Sequence, residues 1–370
     1  MLFFVIAAPA AACSGAGSRL INRKEETVDM RNSTKLSVFR MLHAGLLAAL
    51  LIAAAACGSA NVADGNTAPA NTNARANQAA EGDPASANAG GETGTAPAET
   101  AYPMTVKDVT GTEIVLEKAP AKIVSIAPSE TEIVYAIGAG DKVVGVDTNS
   151  NYPPETANVS KVGDFKTDIE AVAALAPDLV LANAAMNADA IEALRQLKIN
   201  VFVSDPKTFD DTAAHIEEIG LLTNNGAKAG EVADGMRAVK QEIADKVKDA
   251  PKKKVYVEFS PGWTVGGGEF LDELVTLAGG INVANGKPGW YEVDAEAVLK
   301  ANPEVIVYPD FGDDKTIPEA IAARPGWNGI DAVRNNRVVA VANDPLVRVG
   351  PRLSDGLREL AKAIHPDLFA

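Results

Sequence analysis

From residue 102 onward, short runs of β-branched and apolar residues alternate with segments in which apolar side chains recur every three or four positions. The runs at Lys122–Ile126, Val143–Val146, Leu179–Ala182 and Val201–Val203 form one set, and those at Val255–Phe259, Val305–Tyr308 and Val338–Val341 form another. Each has the length of a buried strand rather than of a helix. Helical patterns fall between and after them, at Thr131–Ile137, Ala188–Leu197 and Leu353–Ile364. Strands alternating with helices predict an α/β fold with mainly parallel sheets covered on both faces.

One segment breaks the rhythm. Across residues 225–250, Ala229, Val232, Ala233, Met236, Val239, Ile243 and Val247 keep three-and-four spacing with charges between them. That is one long amphipathic helix. It ends at Pro251, where the Lys252-Lys253-Lys254 run reads as favourable charge at a helix C-terminus. Lying between the two strand sets, it reads as a rigid connector between an N-terminal lobe (102–224) and a C-terminal lobe (251–370). An internal repeat supports this division: Asp168-Ile-Glu-Ala-Val and a following Pro177-Asp recur as Asp294-Ala-Glu-Ala-Val and Pro303-Glu. The expected architecture is two pseudo-duplicated lobes with a ligand cleft between them and modest lobe motion on binding.

The first hundred residues differ in kind. From Met30 the chain carries Arg31, Lys35 and Arg40, then an apolar run from Met41 to Ala56. The run is about 16 residues, short of the roughly 20 needed to cross a bilayer, and matches the apolar centre of a secretory signal. It stops at Ala54-Ala55-Ala56-Cys57-Gly58, which resembles the lipobox of bacterial lipoproteins, with Ala54 where Leu is more usual. Residues 30–56 are therefore read as a lipoprotein signal, Cys57 as the lipidation site, and 1–29 as an over-extended start. Residues 57–101, rich in Ala, Asn, Gly, Thr, Pro and Glu, cannot bury enough surface to fold and read as a flexible lipidated tether. Such an anchor places the folded part outside the cytoplasmic membrane.

Charge and composition exclude several classes. A net charge of −15 argues against a nucleic-acid partner. Two cysteines and three histidines leave no disulfide scaffold or zinc module. No phosphate loop, G-x-S-x-G elbow or HExxH helix is present, so no catalytic residue, metal site or cofactor is assigned. His215 and His365 read as helix-surface or terminal residues. Gly266-Gly267-Gly268 reads as a turn. What remains is a set of aromatic and charged residues in strand-following loops: Tyr152, Phe165, Trp263, Trp290, Asp344 and Arg348. Open parallel sheets bind ligands at the carboxyl ends of their strands. For each aromatic taken alone, packing and ligand contact are both open, and Asp344 and Arg348 also have the spacing to pair with each other. Trp327 and Arg352 read as structural.

Several motifs now occur in order: Ile126-Ala-Pro-Ser-Glu-Thr-Glu132, Tyr152-Pro-Pro, the two Asp-x-Glu-Ala-Val segments, Arg324-Pro-Gly-Trp327, Ala332-Val-Arg-Asn-Asn-Arg-Val338 and Arg348-Val-Gly-Pro-Arg352. Over 102–370 the chain resembles the substrate-binding proteins of bacterial ABC importers for iron siderophores, haem and vitamin B12. The resemblance implies a monomer that captures a metal chelate unchanged and delivers it to a membrane permease driven by an ATPase. It implies permease docking through Glu170 and Glu296. Phe165, Trp263, Trp290, Asp344 and Arg348 match pocket positions of the vitamin B12-binding members. Asn149 stands where those have a tyrosine, and Phe165 replaces a tryptophan. Cobalamin or a related corrinoid is the favoured ligand and a ferric siderophore the alternative. Haem is disfavoured, since Tyr152 and Tyr291 are the only axial-ligand candidates.

Overall fold

The computed structural model describes residues 99–312 and 315–369. Cys57, the signal at 30–56 and nearly all of the predicted tether lie outside the described residues. In the first half, the apolar runs form β1 (Met104–Lys107), β2 (Glu113–Leu116), β3 (Ile123–Ser125), β4 (Val143–Val146), β5 (Ser160–Lys161), β6 (Leu179–Asn183) and β7 (Val201–Ser204). Between and after them come α1 (Pro128–Ala136), α2 (Ile169–Ala174), α3 (Ala188–Gln196) and α4 (Phe209–Thr223), followed by α5 (Gly226–Val247). The second half has β8 (Lys253–Val257), β9 (Trp263–Val265), β10 (Gly280–Asn282), β11 (Trp290–Glu292), β12 (Val305–Asp310) and β13 (Val338–Ala342). Its helices are α6 (Phe270–Leu277), α7 (Ala295–Ala301), α8 (Thr316–Ala323), α9 (Asp331–Arg334), α10 (Asn343–Val347) and α11 (Leu353–Ile364).

Two parallel sheets result, ordered β5-β4-β3-β6-β7 and β10-β8-β12-β13. Without its edge strand β5, the first has the same order as the second: second strand, first, third, fourth. The repeat seen in the sequence is thus a repeat of topology, and the fold is two-lobed α/β with mainly parallel sheets. Two antiparallel ribbons, β1–β2 and β9–β11, are added to this plan.

Neighbouring strand residues point to opposite faces, and each face has its own apolar cover. Ile123, Val255, Val257, Val305 and Val307 join one cluster that also contains Ile216, Met236, Ile243 and Leu357. Val124 and Val180 turn to a second cluster over the first sheet, and Tyr256 and Ile306 to a third over the other, with Trp327. Trp327 is therefore core, as its sequence context indicates. The shared cluster passes through α4, α5 and α11, so the halves meet through packed helices rather than through a bare linker. Helix α5 buries Ala229, Ala233, Met236, Val239 and Ile243. It crosses α4 so closely that a Cβ on Gly220 would lie 2.2 Å from that of Ala229.

Three readings of the sequence need correction. His215 is not on a helix surface: it is 6% exposed on α4, with Nε2 2.9 and 3.0 Å from the Glu130 carboxylate oxygens. Burial alone would lower its pKa, but attraction to Glu130 and the shared hydrogen bonds outweigh that and push it up to about 9. His365 is likewise buried, beside the Gly279 carbonyl. The lysine run does not cap the long helix. Lys253 and Lys254 open β8, where Lys253 pairs with Glu304 at 3.1 Å and the Lys254 amide donates to the same carboxylate.

Candidate functional site

In each sheet the chain adds its second strand on one side of the first and its third on the other. A crevice therefore opens outside the carboxyl ends of β3 and β6, and of β8 and β12. Of the residues singled out from the sequence, Tyr152 and Phe165 lie in the loops after β4 and β5, but Trp263 and Trp290 begin the ribbon strands β9 and β11 rather than lying in loops, and Asp344 lies in α10 with Arg348 just after it.

After β4 the loop is fixed by polar contacts before Tyr152 is reached. Asp147 accepts from the Asn149 amide at 2.8 Å and from the Ser150 hydroxyl, and Ser150 shares a 2.8 Å hydrogen bond with Thr131 of α1. Lys161 donates to the carbonyls of Ser150 and Thr156. Burial pushes the Asp147 carboxyl above its ordinary value against these hydrogen bonds. The held loop presents Tyr152 at 43% exposure, with the Arg352 guanidinium 4.0 Å from its ring centroid. Phe165 is 52% exposed in the tight loop after β5. There Gly163 has φ +100°, and a Cβ would meet the Lys166 carbonyl at 2.6 Å.

In the second half Glu258 follows β8 and is fully buried. Its oxygens accept two hydrogen bonds from Arg324, at 2.6 and 2.7 Å, and one from the Gly262 amide at 3.0 Å. This carboxylate fixes the loop that leads into Trp263, which is 44% exposed. Trp290, on the partner strand β11, is half-buried, packed edge-to-face on Phe259 at 4.8 Å with Nε1 3.3 Å from Glu269. Packing accounts for one side of Trp290. The triple glycine serves the same ribbon: a Cβ on Gly266 would meet the Lys287 carbonyl at 1.9 Å.

Asp344 and Arg348 do pair, at 2.9 Å, but that is only part of the contact. Arg348 also donates to Glu132 of α1 at 2.9 Å, to the Asn151 side chain at 2.8 Å and to the Asn149 carbonyl at 3.3 Å. Arg352 makes a two-point contact with Glu132, at 2.6 and 2.9 Å. Arginine and carboxylate planes match in this geometry. The cluster ties the second half to the first across the crevice, with Glu132 only 2% exposed.

The sequence reading had no site role for Glu132 and gave Arg352 only a structural one. It also passed over Phe311 and Met186, which are 49% and 41% exposed after the equivalent strands β12 and β6. Phe311 lines a cavity of about 380 Å³ with Asp310, Asn343 and Asp344. Their strand-end position was the available signal. Glu170 and Glu296 are exposed in the first turns of α2 and α7, each beginning at an aspartate whose side chain caps the helix (Asp168, Asp294). Among the described residues there is no His/Cys/Asp/Glu cluster suited to a metal ion, and no helix is long and apolar enough to cross a membrane.

Comparison with known proteins agrees with this geometry. A family model described as periplasmic binding protein matches residues 123–345. An uncharacterized ABC transporter substrate-binding lipoprotein of Bacillus subtilis, YvrC, is 40% identical over 278 residues, covering 72% of this chain and 87% of the relative. A cobalamin-binding protein of Halobacterium salinarum is 30% identical over 275 residues, covering 71% of this chain and 74% of the relative. A solved Staphylococcus epidermidis structure, described as a possible iron-binding (periplasmic solute-binding) protein, is 30% identical. It superimposes with a TM-score of 0.61 over 67% of this chain and 100% of that one. Matched along more than half its length and sharing the two-lobed α/β architecture, the chain belongs to the periplasmic binding protein family.

Proposed function

We propose that the protein is the extracytoplasmic substrate-binding component of an ABC importer, capturing a bulky metal chelate and passing it unchanged to a membrane permease. Its relatives in the family are binding proteins rather than enzymes. Cobalamin or a related corrinoid is the chelate the site suits best. One observation carries this reading: Tyr152, Phe165, Trp263 and Phe311 stand 43 to 52% exposed in the two halves, with Tyr152 and Phe311 beside an interlobe ion cluster. Large apolar side chains held open at strand ends suit a broad, mostly apolar ligand with a few polar groups. The cobalamin-binding relative supports the corrinoid. The iron-type structural neighbour, equally identical, keeps a ferric siderophore as the second reading.

In this reading Tyr152, Phe165, Trp263 and Trp290 contact the ligand faces, and Asp344 and Arg348 meet its polar edge. Glu170 and Glu296 dock the two halves on the permease. Cys57 carries the lipid that holds the protein, a monomer, at the membrane surface, and 57–101 is the tether. Tryptophan-fluorescence titration with cyanocobalamin and with ferric siderophores, checked by calorimetry, tests the ligand. Saturable binding of cobalamin alone is the expected result. Binding of a siderophore alone would keep the transport role and discard the corrinoid.

A further inference from the structure

The arginines of the crevice are already committed. Arg348 donates to Glu132, Asn151 and the Asn149 carbonyl and pairs with Asp344, while Arg352 gives two hydrogen bonds to Glu132 and lays its face on Tyr152. Two cations thus meet two carboxylates, and the cluster has no net charge left to offer a ligand. The adjoining cavity adds another acid. Asp310 lines it with Asp344, and among the described residues its carboxylate takes only the amide of Gly312, at 2.8 Å, and no cation. The rest of the wall carries no charge: Phe311, Ala342 and Pro345 are apolar, and Asn343 adds a neutral amide.

A ligand bearing several negative charges would have to displace Glu132 from its arginines. Glu132 is nearly inaccessible and among the described residues has no other basic partner, so displacement would leave a buried carboxylate unpaired. The ligand would also face Asp310 and Asp344 directly, and like charges brought together at an interface oppose binding. A neutral or cationic chelate with outward N–H or O–H donors meets none of these costs and finds carboxylate acceptors in the cavity.

We infer that the crevice selects chelates without net negative charge, and that Glu132 is the specificity-determining residue because it occupies the arginines an anion would need. The inference rests on the metal-chelate reading above and narrows it. Anionic ferric tris-catecholates and haem, with its carboxylates, are excluded, whereas amide-bearing corrinoids and neutral ferric trihydroxamates are retained. Discrimination arises from an arrangement that penalises the wrong ligand.

Calorimetric titration of the full-length protein with cyanocobalamin, a neutral ferric trihydroxamate and a trianionic ferric tris-catecholate tests this. At least one neutral chelate should bind more tightly than the trianion by about tenfold or more. Glu132→Gln should shift that ratio toward the trianion, and so should Asp344→Asn, whose side chain is partly exposed and whose replacement spares the fold. Trianion binding as tight as that of every neutral chelate overturns the inference and leaves the importer reading intact. So does an unchanged ratio in Asp344→Asn together with any folded Glu132→Gln protein. If no chelate of either charge binds, the metal-chelate reading itself falls, and the inference with it.

Discussion

The two halves share a strand order but neutralise their buried carboxylates differently. In the first half Glu130, 1% exposed, is held by His215 and by the Ser204 hydroxyl. In the second, Glu258, fully buried, is held by Arg324 and the Gly262 amide. Histidine can release its proton near neutral pH and arginine cannot. One architecture thus neutralises a buried carboxylate with a proton-sensitive partner at Glu130 and with a permanently charged one at Glu258, and the latter lies under the loop leading to Trp263.

Removing that permanent anchor should have the largest effect. Arg324→Ala leaves Glu258 buried without its cation, a loss of about 3–5 kcal/mol of stability. Urea denaturation would read it as a lower midpoint, and a loss below about 1 kcal/mol would contradict the burial argument.

His215→Gln should cost less, about 2 kcal/mol, because Glu130 keeps its Ser204 hydrogen bond. The pH dependence separates the anchors further. The folded pKa of His215, about 9, lies above the ordinary value of 6.5. Its contribution is therefore complete below pH 6.5 and is lost as pH rises through about 9. Denaturation midpoints at pH 6, 8 and 9.5 should fall in the wild type and in Arg324→Ala, and stay nearly flat in His215→Gln over that window. An equal slope in the histidine variant would remove the first half of the comparison.

At the crevice the expected effects are smaller. Trp263→Ala should weaken ligand binding by about tenfold, as removal of an exposed aromatic anchor does. Trp290→Phe should change it by less, since Trp290 already packs on Phe259. Fluorescence should show the same ranking, with Trp327 remaining in both variants as a buried, ligand-insensitive emitter. A larger binding loss in Trp290→Phe would reverse the assignment.

The least effect on folding is expected from Glu170→Arg with Glu296→Arg. Each loses only a favourable helix-start charge, about 0.3–1 kcal/mol. Ligand binding should persist while uptake by cells stops; uptake at the wild-type rate would remove the docking role from both halves together.

Legibility followed the range of the forces involved. Val143–Val146 and Leu353–Ile364 match their predicted bounds residue for residue, because strand and helix patterns are written in neighbours two to four positions apart. Helix α4 escaped that reading because its buried face includes Thr212, His215 and Thr223 as well as Phe209 and Ile216, which blurs the apolar stripe. The β1–β2 and β9–β11 ribbons were too short to register as alternation. Among the aromatics, Phe165 stands exposed in a strand-following loop as its sequence position indicated and Trp263 stands exposed at the start of β9 instead of in a loop, while Phe311 and Met186 lacked a motif to draw attention.

By itself the sequence determined the alternation of strands and helices and the duplication of its two halves. These depend on local periodicity and on repeated segments, both visible in one dimension. Only the tertiary structure decided which charges meet. Arg348 and Arg352 reach Glu132 across 216 and 220 positions of chain, and Glu130 finds His215 across 85. No pattern among neighbouring residues encodes such pairings. Once the packed core brings those positions together, a carboxylate removed from water must find a cation or a donor, and that requirement chose the partners.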